Sequence, residues 1–134
     1  MATRGGGVYF PVDAGFCDTM VARMIVRRLG AEGFVAYVRM LCCLLNEPGG
    51  RLPLAMDDEW EVLSERLGLP LATTRELVGL MEHYGALERP DGGSYVMSPQ
   101  VSAALSAREE IVEKRRAAGR ASGEARRKKA AGEQ

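Results

Sequence analysis

Apolar residues recur at three- and four-residue spacing in successive segments of this chain, and glycine or proline separates one segment from the next. The first segment predicts a helix that is capped by Asp18 or Thr19 and runs to about Leu29, where Gly30 breaks it. A longer and more apolar helix is predicted from about residue 32 to residue 46. Because its apolar residues cover more than one face, we expect this helix to form the centre of the core.

Residues 57 to 98 are predicted to form a helix, a tight turn, a second helix and a β-hairpin, in that order. The first helix begins at the acidic Asp57 and stops at Gly68, and residues 69 to 71 make the turn. The segment before this helix, residues 51 to 56, can form a strand that pairs with the hairpin. This is the element order of a winged helix-turn-helix, so we expect that module here.

The second helix of the motif is predicted to be capped by Thr73 or Thr74 and to end at Gly85. Two short extended runs follow it, residues 86 to 89 and 94 to 97, with proline, aspartate and glycine residues between them. Such residues favour the turn of a β-hairpin, so we expect the two runs to form the wing.

The predicted fold class is mostly α with a small β-hairpin, namely a winged helix-turn-helix with an extra N-terminal segment and a C-terminal helix. The N-terminal addition contains a short extended run from Val8 to Val12. The C-terminal helix is predicted to start at Pro99 with Ser98 as its cap, because proline is well tolerated in the first turn of a helix.

The chain is expected to divide into three parts. Residues 1 to 7 form a flexible N-terminus, residues 8 to 115 a winged-helix domain, and residues 116 to 134 a basic tail. The tail holds no apolar residue larger than alanine, so it cannot bury enough surface to offset its ordering entropy. We therefore expect the tail to be disordered or to form a helix that frays.

The formal net charge is zero, but the basic residues are concentrated near the C-terminus. Residues 1 to 107 hold 9 Arg and 13 Asp or Glu, a charge of −4, whereas residues 108 to 134 hold 9 Lys or Arg and 5 Glu, a charge of +4. Eight basic residues lie between positions 114 and 129: Lys114, Arg115, Arg116, Arg120, Arg126, Arg127, Lys128 and Lys129. We expect this arm to neutralise DNA phosphates without reading bases, and a merely solubilising tail is the alternative.

Candidate DNA contacts within the motif itself are few. If the apolar stripe of the second helix faces inward, its outer face presents Arg75, Glu76, Gly79, Glu82 and His83. The wing adds Arg89. We expect Thr73, Thr74, Arg75 and Arg89 to touch DNA. Because nearby carboxylates oppose contact with phosphates, we expect the basic arm to supply most of the affinity.

No catalytic, cofactor-binding or metal-binding residues are predicted, and the chain is not expected to be an enzyme. Its glycine pairs do not fit a nucleotide-binding frame, and His83 has no activated serine or cysteine to serve. Cys42 and Cys43 lie in an apolar helical run and are expected to fill the core. A metal site would need Cys17 and the single histidine to converge on them, which we do not expect.

The predicted location is the cytoplasm, without a membrane partner. The sequence has no apolar run near 18 residues in length, and its N-terminus is small, polar and glycine-rich where a signal peptide would be apolar. Three cysteines without CxxC spacing suit a reducing compartment.

An aromatic-Pro-x-Asp opening, two glycines and several aromatic and leucine positions occur in one order along the chain: Tyr9–Asp13, Phe16, Asp18, Gly30, Gly33, Phe34, Tyr37, Leu41, Leu67–Leu69 and Tyr84–Leu87. Over roughly residues 8 to 115, this order resembles the N-terminal domain of the Lin1244/Lin1753-like family of phage and prophage proteins. Several members carry that domain ahead of a region similar to the DnaD family of replication initiation proteins. The resemblance implies a winged-helix fold and a role near phage DNA replication.

The sequence leaves three functions open. The favoured one is a small phage- or prophage-type DNA-binding protein that acts in replication initiation or its control, on duplex DNA or on single strands. The second is an adaptor that docks a replication or regulatory protein on its acidic domain surface. The third is a transcriptional repressor that forms a homodimer through its C-terminal helix.

Overall fold

A computed structural model describes residues 12 to 132 of the chain. Over this range the protein is mostly helical with one two-stranded antiparallel sheet, which confirms the predicted mixture of helices and a little sheet. The elements are α1 (Met20–Leu45), β1 (Leu52–Pro53), α2 (Asp57–Leu67), α3 (Leu71–His83), β2 (Tyr95–Val96) and α4 (Pro99–Gly132). The predicted flexible residues 1 to 7, and nearly all of the extended run from Val8 to Val12, lie outside the described residues.

Helix α1 is divided at Gly30, as the sequence predicts. The Thr19 hydroxyl accepts a hydrogen bond from the N–H of Ala22 at 3.3 Å, which confirms the predicted cap. Gly30 has φ 70° and ψ −165°, a backbone conformation that other residues rarely adopt. Gly33 lies just beyond the bend, where an added Cβ would overlap the Leu29 side chain. Both glycines are therefore needed to join the two halves of α1.

The second half of α1 forms the centre of the core, as predicted. Helices α2 and α3 pack against α1 and against each other. Their contact surfaces are leucine and methionine side chains that are buried almost completely, namely Met40, Leu41, Leu44, Leu63, Leu67, Leu77 and Met81. The ring of Phe16, which precedes α1, stacks on Tyr37 in this second half of the helix, with centroids 5.4 Å apart. One continuous apolar cluster thus holds three helices together.

A three-residue turn, Gly68–Pro70, joins α2 to α3. Gly68 has φ 70°, in the left-handed region, and it ends α2 where the sequence predicts. The guanidinium of Arg39 on α1 donates a hydrogen bond to the Leu67 carbonyl at 3.3 Å. Since the last carbonyls of a helix have no partner within it, this bond both satisfies the end of α2 and fixes the turn to α1.

Helix α3 starts two residues earlier than the predicted caps. Its first residue is Leu71 and its N-cap is Pro70, so the prediction that Thr73 or Thr74 caps this helix is wrong. The Pro70 carbonyl accepts hydrogen bonds from the N–H of Thr74 at 2.9 Å and from its hydroxyl at 3.1 Å. Proline fixes its own φ, here at −58°, and its carbonyl is already placed to receive the first helical hydrogen bond.

Strands β1 and β2 pair in antiparallel register, with Leu52 opposite Val96 and Pro53 opposite Tyr95. This confirms the predicted strand before α2 and its pairing with the segment predicted as a hairpin. The side chains of Leu52 and Val96 point into the core, so the small sheet closes one side of the apolar cluster.

The hairpin predicted for residues 86 to 97 is shorter than expected. Glu88 and Met97 form an isolated bridge, in which each N–H donates to the other carbonyl, at 2.7 and 2.9 Å. Pro90 follows, and because proline has no N–H it cannot extend the ladder. A 3-10 turn at Asp91–Gly93 then reverses the chain. The segment predicted as the wing is therefore a tight loop closed by a single pair of residues.

Helix α4 begins at Pro99 as predicted, and the Ser98 hydroxyl accepts a hydrogen bond from the N–H of Val101 at 3.3 Å. Val101 is fully buried. One turn later the Leu105 side chain lies against Gly50, where an added Cβ would be 3.0 Å from it. The first turns of α4 are thus packed on the domain.

Beyond Val112, helix α4 carries its charged side chains in solvent, all of them exposed from Glu113 to Lys129. The structure continues the helix through Gly132, whereas the sequence predicts disorder or fraying from residue 116. Fraying of this half stays a prediction, because alanine and glycine contribute little burial to hold it.

The central position of Leu41 predicts a large cost for its truncation. We expect Leu41→Ala to lower the free energy of unfolding by about 2 to 5 kcal/mol, because the side chain is fully buried and would leave a cavity. Val35→Ala on the same helix is the control, with a side chain that is 50% exposed and an expected loss under about 1 kcal/mol. Urea unfolding followed by circular dichroism measures both, and equal losses would contradict this description of the core.

Candidate nucleic-acid interface

The residues predicted to contact DNA lie on separate elements. One group, Thr73, Thr74, Arg75 and Arg89, lies on α3 and the wing. The other is the run of eight basic residues between Lys114 and Lys129 on the exposed half of α4, which we call the basic arm. The two groups have very different surroundings.

Arg75 is held at the surface by two contacts with α2. Its guanidinium carbon lies 4.6 Å from the centre of the Trp60 ring, and its Nη2 is 3.7 Å from a carboxylate oxygen of Asp57. The side chain is still 46% exposed, so a ligand can reach it. However, the carboxylate of Asp57 offsets the positive charge that Arg75 would present to a phosphate.

The two threonines differ in access. Thr74 is fully buried, and its hydroxyl is bonded to the Pro70 carbonyl. Because this side chain is buried, the prediction that Thr74 touches DNA loses support. Thr73 is half-buried in the first turn of α3. Its contact with DNA stays a prediction.

Arg89 is directed into the protein. Its Nη1 donates hydrogen bonds to the carbonyls of Leu54 at 2.6 Å and Gly93 at 2.9 Å. Its Nε and Nη2 donate to one carboxylate oxygen of Glu82, at 3.2 and 3.0 Å. This guanidinium connects the loop that follows α3, the residue after strand β1, and helix α3. The prediction that Arg89 contacts DNA loses support because these donors already have partners.

The outward face of α3 consequently presents little free positive charge. Besides Arg75 it exposes Glu76, Gly79 and His83. His83 packs edge-on against Tyr84, with ring centroids 4.7 Å apart. A face of this composition lacks the several Arg, Asn or Gln side chains with which a recognition helix reads base edges.

The basic arm has the opposite character. Within residues 114 to 129 the acidic residue is Glu124, and all eight Lys and Arg side chains are exposed. Arg120 donates a hydrogen bond to Glu113 at 3.2 Å, across two turns of the helix. At a rise of about 1.5 Å per residue the arm extends for roughly 24 Å. It therefore concentrates positive charge along one element that the core does not cover.

The three cysteines differ in burial and do not form a shared site. Cys43 is buried, and burial raises the pKa of its thiol above the ordinary range, whereas Cys42 and Cys17 are exposed. Among residues 12 to 132, no three His, Cys, Asp or Glu side chains are grouped as metal ligands. Within the same range, every helix is too short or too polar to cross a bilayer.

Sequence reasoning missed the partners that fix the two arginines. Trp60 and Asp57 hold Arg75 from a neighbouring helix, and Glu82 holds Arg89 from across a turn. The spacing of Glu82 and Arg89, seven residues apart around a predicted turn, was the available signal for that ion pair. The carbonyl of Leu54, 35 residues from Arg89, has no counterpart in any local pattern.

Comparisons of this chain with protein-family models, with curated proteins and with solved structures found no match. The resemblance to the Lin1244/Lin1753-like domain is therefore an expectation that these comparisons do not test.

The hydrogen bonds of Arg89 predict that it stabilises the fold. We expect Arg89→Ala to lower the free energy of unfolding by about 1 to 3 kcal/mol, since it leaves the carbonyls of Leu54 and Gly93 and the carboxylate of Glu82 without this donor. Arg75→Ala, which removes an exposed ion pair, should cost less than about 1 kcal/mol. Thermal and urea unfolding of both variants measure the difference. A neutral Arg89→Ala would show that the inward position of Arg89 is not maintained in solution.

Proposed function

We propose that this chain is a small DNA-binding protein in which a winged helix-turn-helix domain carries a basic helical arm. The observation that supports DNA binding most strongly is the arm itself. Eight exposed basic side chains lie within 16 consecutive residues of α4, after the first turns of this helix, which pack on the domain. Such a density of exposed Lys and Arg is the electrostatic signature of a phosphate-binding segment.

The winged helix-turn-helix assignment is supported by the order and pairing of the elements. The second half of α1 is followed by β1, α2, a short turn and α3, and then by the bridged loop and β2. Strand β1 pairs with β2, and the Glu88–Met97 bridge adds a third extended segment at the other edge of β2. A helix, a strand, two helices and a wing in this arrangement are the parts of that module.

The biological setting that we propose is phage or prophage DNA replication, at initiation or its control, in the cytoplasm. It rests on the resemblance to the Lin1244/Lin1753-like domain. The element order described above is compatible with that resemblance, and we therefore favour a role in replication over a transcriptional repressor. A repressor would act as a homodimer, so the oligomeric state in solution tests this choice.

Removal of the arm tests the proposal directly. We expect a chain that lacks residues 114 to 134 to bind duplex DNA much more weakly than the full chain. If the arm neutralises about four phosphates, the slope of log K against log salt should be roughly −3.6 for the full chain and much shallower for the truncated one. Fluorescence anisotropy over a salt series, on duplex and on single-stranded DNA, gives both slopes.

A chain that ends at Lys129 is the matched control, because it loses five residues but none of the basic ones. Both shortened proteins should melt near the temperature of the full chain, since the charged side chains from residue 113 onward contact solvent. An unchanged salt slope after removal of the arm would exclude it as the source of affinity.

A second candidate function, a protein adaptor, is favoured by the offset charges on α3. The variant Arg75→Ala distinguishes the two candidate functions, because it should leave the buried apolar stripe of α3 intact. If α3 reads DNA, we expect this variant to lose about 1 to 3 kcal/mol of binding free energy on a preferred sequence and to discriminate less between sequences. Equal binding by Arg75→Ala and the unaltered protein would assign the domain to protein contact and leave DNA to the arm.

A further inference from the structure

The arginines of the basic arm fall into two rows along the helix. With about 100° of rotation per residue, Arg115 and Arg126 lie within roughly 20° of one another around the axis. Arg116 and Arg127 form a second row, about 100° from the first. All four side chains are exposed. None of the four has a hydrogen bond or ion pair with another described residue, so the two rows are free to bind an anion on each side of one helix face.

The strip between the two rows carries almost no side chain. Gly119 and Gly123 lie within it, at about 40° and 80° from Arg115 on the side of the second row. Glycine in an exposed helix lowers helix stability relative to alanine, so the two glycines are not explained by helix propensity. Packing within the chain does not provide one, because a Cβ added at either position would meet no described atom within 4 Å.

The remaining charges of the arm lie outside the strip. Arg120 is about 20° beyond the second row and Lys129 about 40° beyond the first, so each of them lies beside a row. Lys114 and Lys128 are on the opposite side of the helix, each within about 20° of the direction that faces directly away from the strip. Glu124 is about 60° beyond the second row. Glu113 lies on the same side as Glu124 and is paired with Arg120. The strip and its two arginine rows are therefore bordered, and not interrupted, by acidic residues.

Two parallel rows of positive charge with an empty strip between them complement a groove that has an anionic wall on each side. The major groove of duplex DNA is such a groove, about 12 Å wide, and an α-helix of about 10 to 12 Å in diameter fits it. We propose that α4 lies along the major groove, with one arginine row on each phosphate strand and the glycine strip toward the base edges. This inference rests on the proposed function and adds the face and the kind of DNA.

The proposed geometry has two consequences that a flexible arm would not share. The affinity of a flexible arm depends on its number of positive charges, so any two basic residues would contribute equally to binding. A docked helix uses only the charges on one face. Glycines offer no side chain for base readout, so we also expect little sequence preference, and a single strand, which has no second wall, should bind less tightly.

Three double variants of the full chain, each with two positive charges removed, test the face. They are Arg115→Gln with Arg126→Gln, Arg116→Gln with Arg127→Gln, and Lys114→Gln with Lys128→Gln. For duplex DNA at about 0.1 M salt, we expect each arginine pair to weaken binding about tenfold or more and to make the salt slope shallower by roughly 1.8. The lysine pair should weaken binding less than about threefold.

A second comparison tests the empty strip. Gly119→Leu with Gly123→Leu places bulk between the rows, whereas Ala117→Leu with Ala121→Leu places the same bulk on the opposite side. The glycine pair raises helix propensity and the alanine pair lowers it slightly, so circular dichroism is used to verify that both variants stay helical. We expect the glycine pair to weaken duplex binding about tenfold and the alanine pair to leave it within about threefold of the unaltered chain.

The outcomes separate this inference from the function on which it rests. Equal losses for all three charge variants, or equal affinity for single strands and duplex, would overturn groove docking while DNA binding stands. Glycine-pair variants that bind duplex as well as the unaltered chain would also overturn it. No binding of the unaltered chain to either form of DNA would refute the proposed function itself.

Discussion

Burial of the second half of α1 is the interaction on which the rest of the structure depends. Met40, Leu41 and Leu44 are fully buried, and α2, α3 and the sheet pack around this half of the helix. The same apolar cluster receives Val101 from the first turn of α4. Among residues 12 to 132 the apolar cluster thus lies within the domain, and the charged side chains of the outer half of α4 are exposed.

The second constraint is the use of arginine within the domain. Arg39 bonds to the end of α2, Arg66 pairs with Glu47 at 3.0 Å, and Arg89 joins the wing to α3. Hydrogen bonding to Glu47 raises the pKa of Arg66 above its ordinary value, so this guanidinium stays protonated. The domain thus uses these cations for contacts with its own loops and helix ends, whereas the arginines of the arm are exposed. We propose that folding and phosphate binding are divided in this way between different parts of one chain.

Local patterns were enough to predict much of this fold. The break at Gly30, the cap at Ser98 and the end of α2 at Gly68 follow from the conformational preferences of single residues. The start of α3 was misplaced because Pro70 fixes the backbone three residues before Thr73, the first of the two threonines that seemed suited to cap it. The role of Arg89 could not be predicted, since its hydrogen bonds depend on a carbonyl brought close only by the tertiary fold. The charge of the arm was predicted, but its two-row arrangement requires the helix that the structure shows.

Hydrogen exchange of the full chain, with and without duplex DNA, tests the central claim most directly. The claim is that DNA contacts the arm and that the folded domain serves mainly to carry it. In the free protein, amides of residues 114 to 129 should exchange fast and those of the second half of α1 slowly, because only the latter are held by a packed core. Added DNA should protect the arm and leave α3 nearly unchanged. Protection confined to α3 and the wing, with the arm still exchanging fast, would contradict the claim.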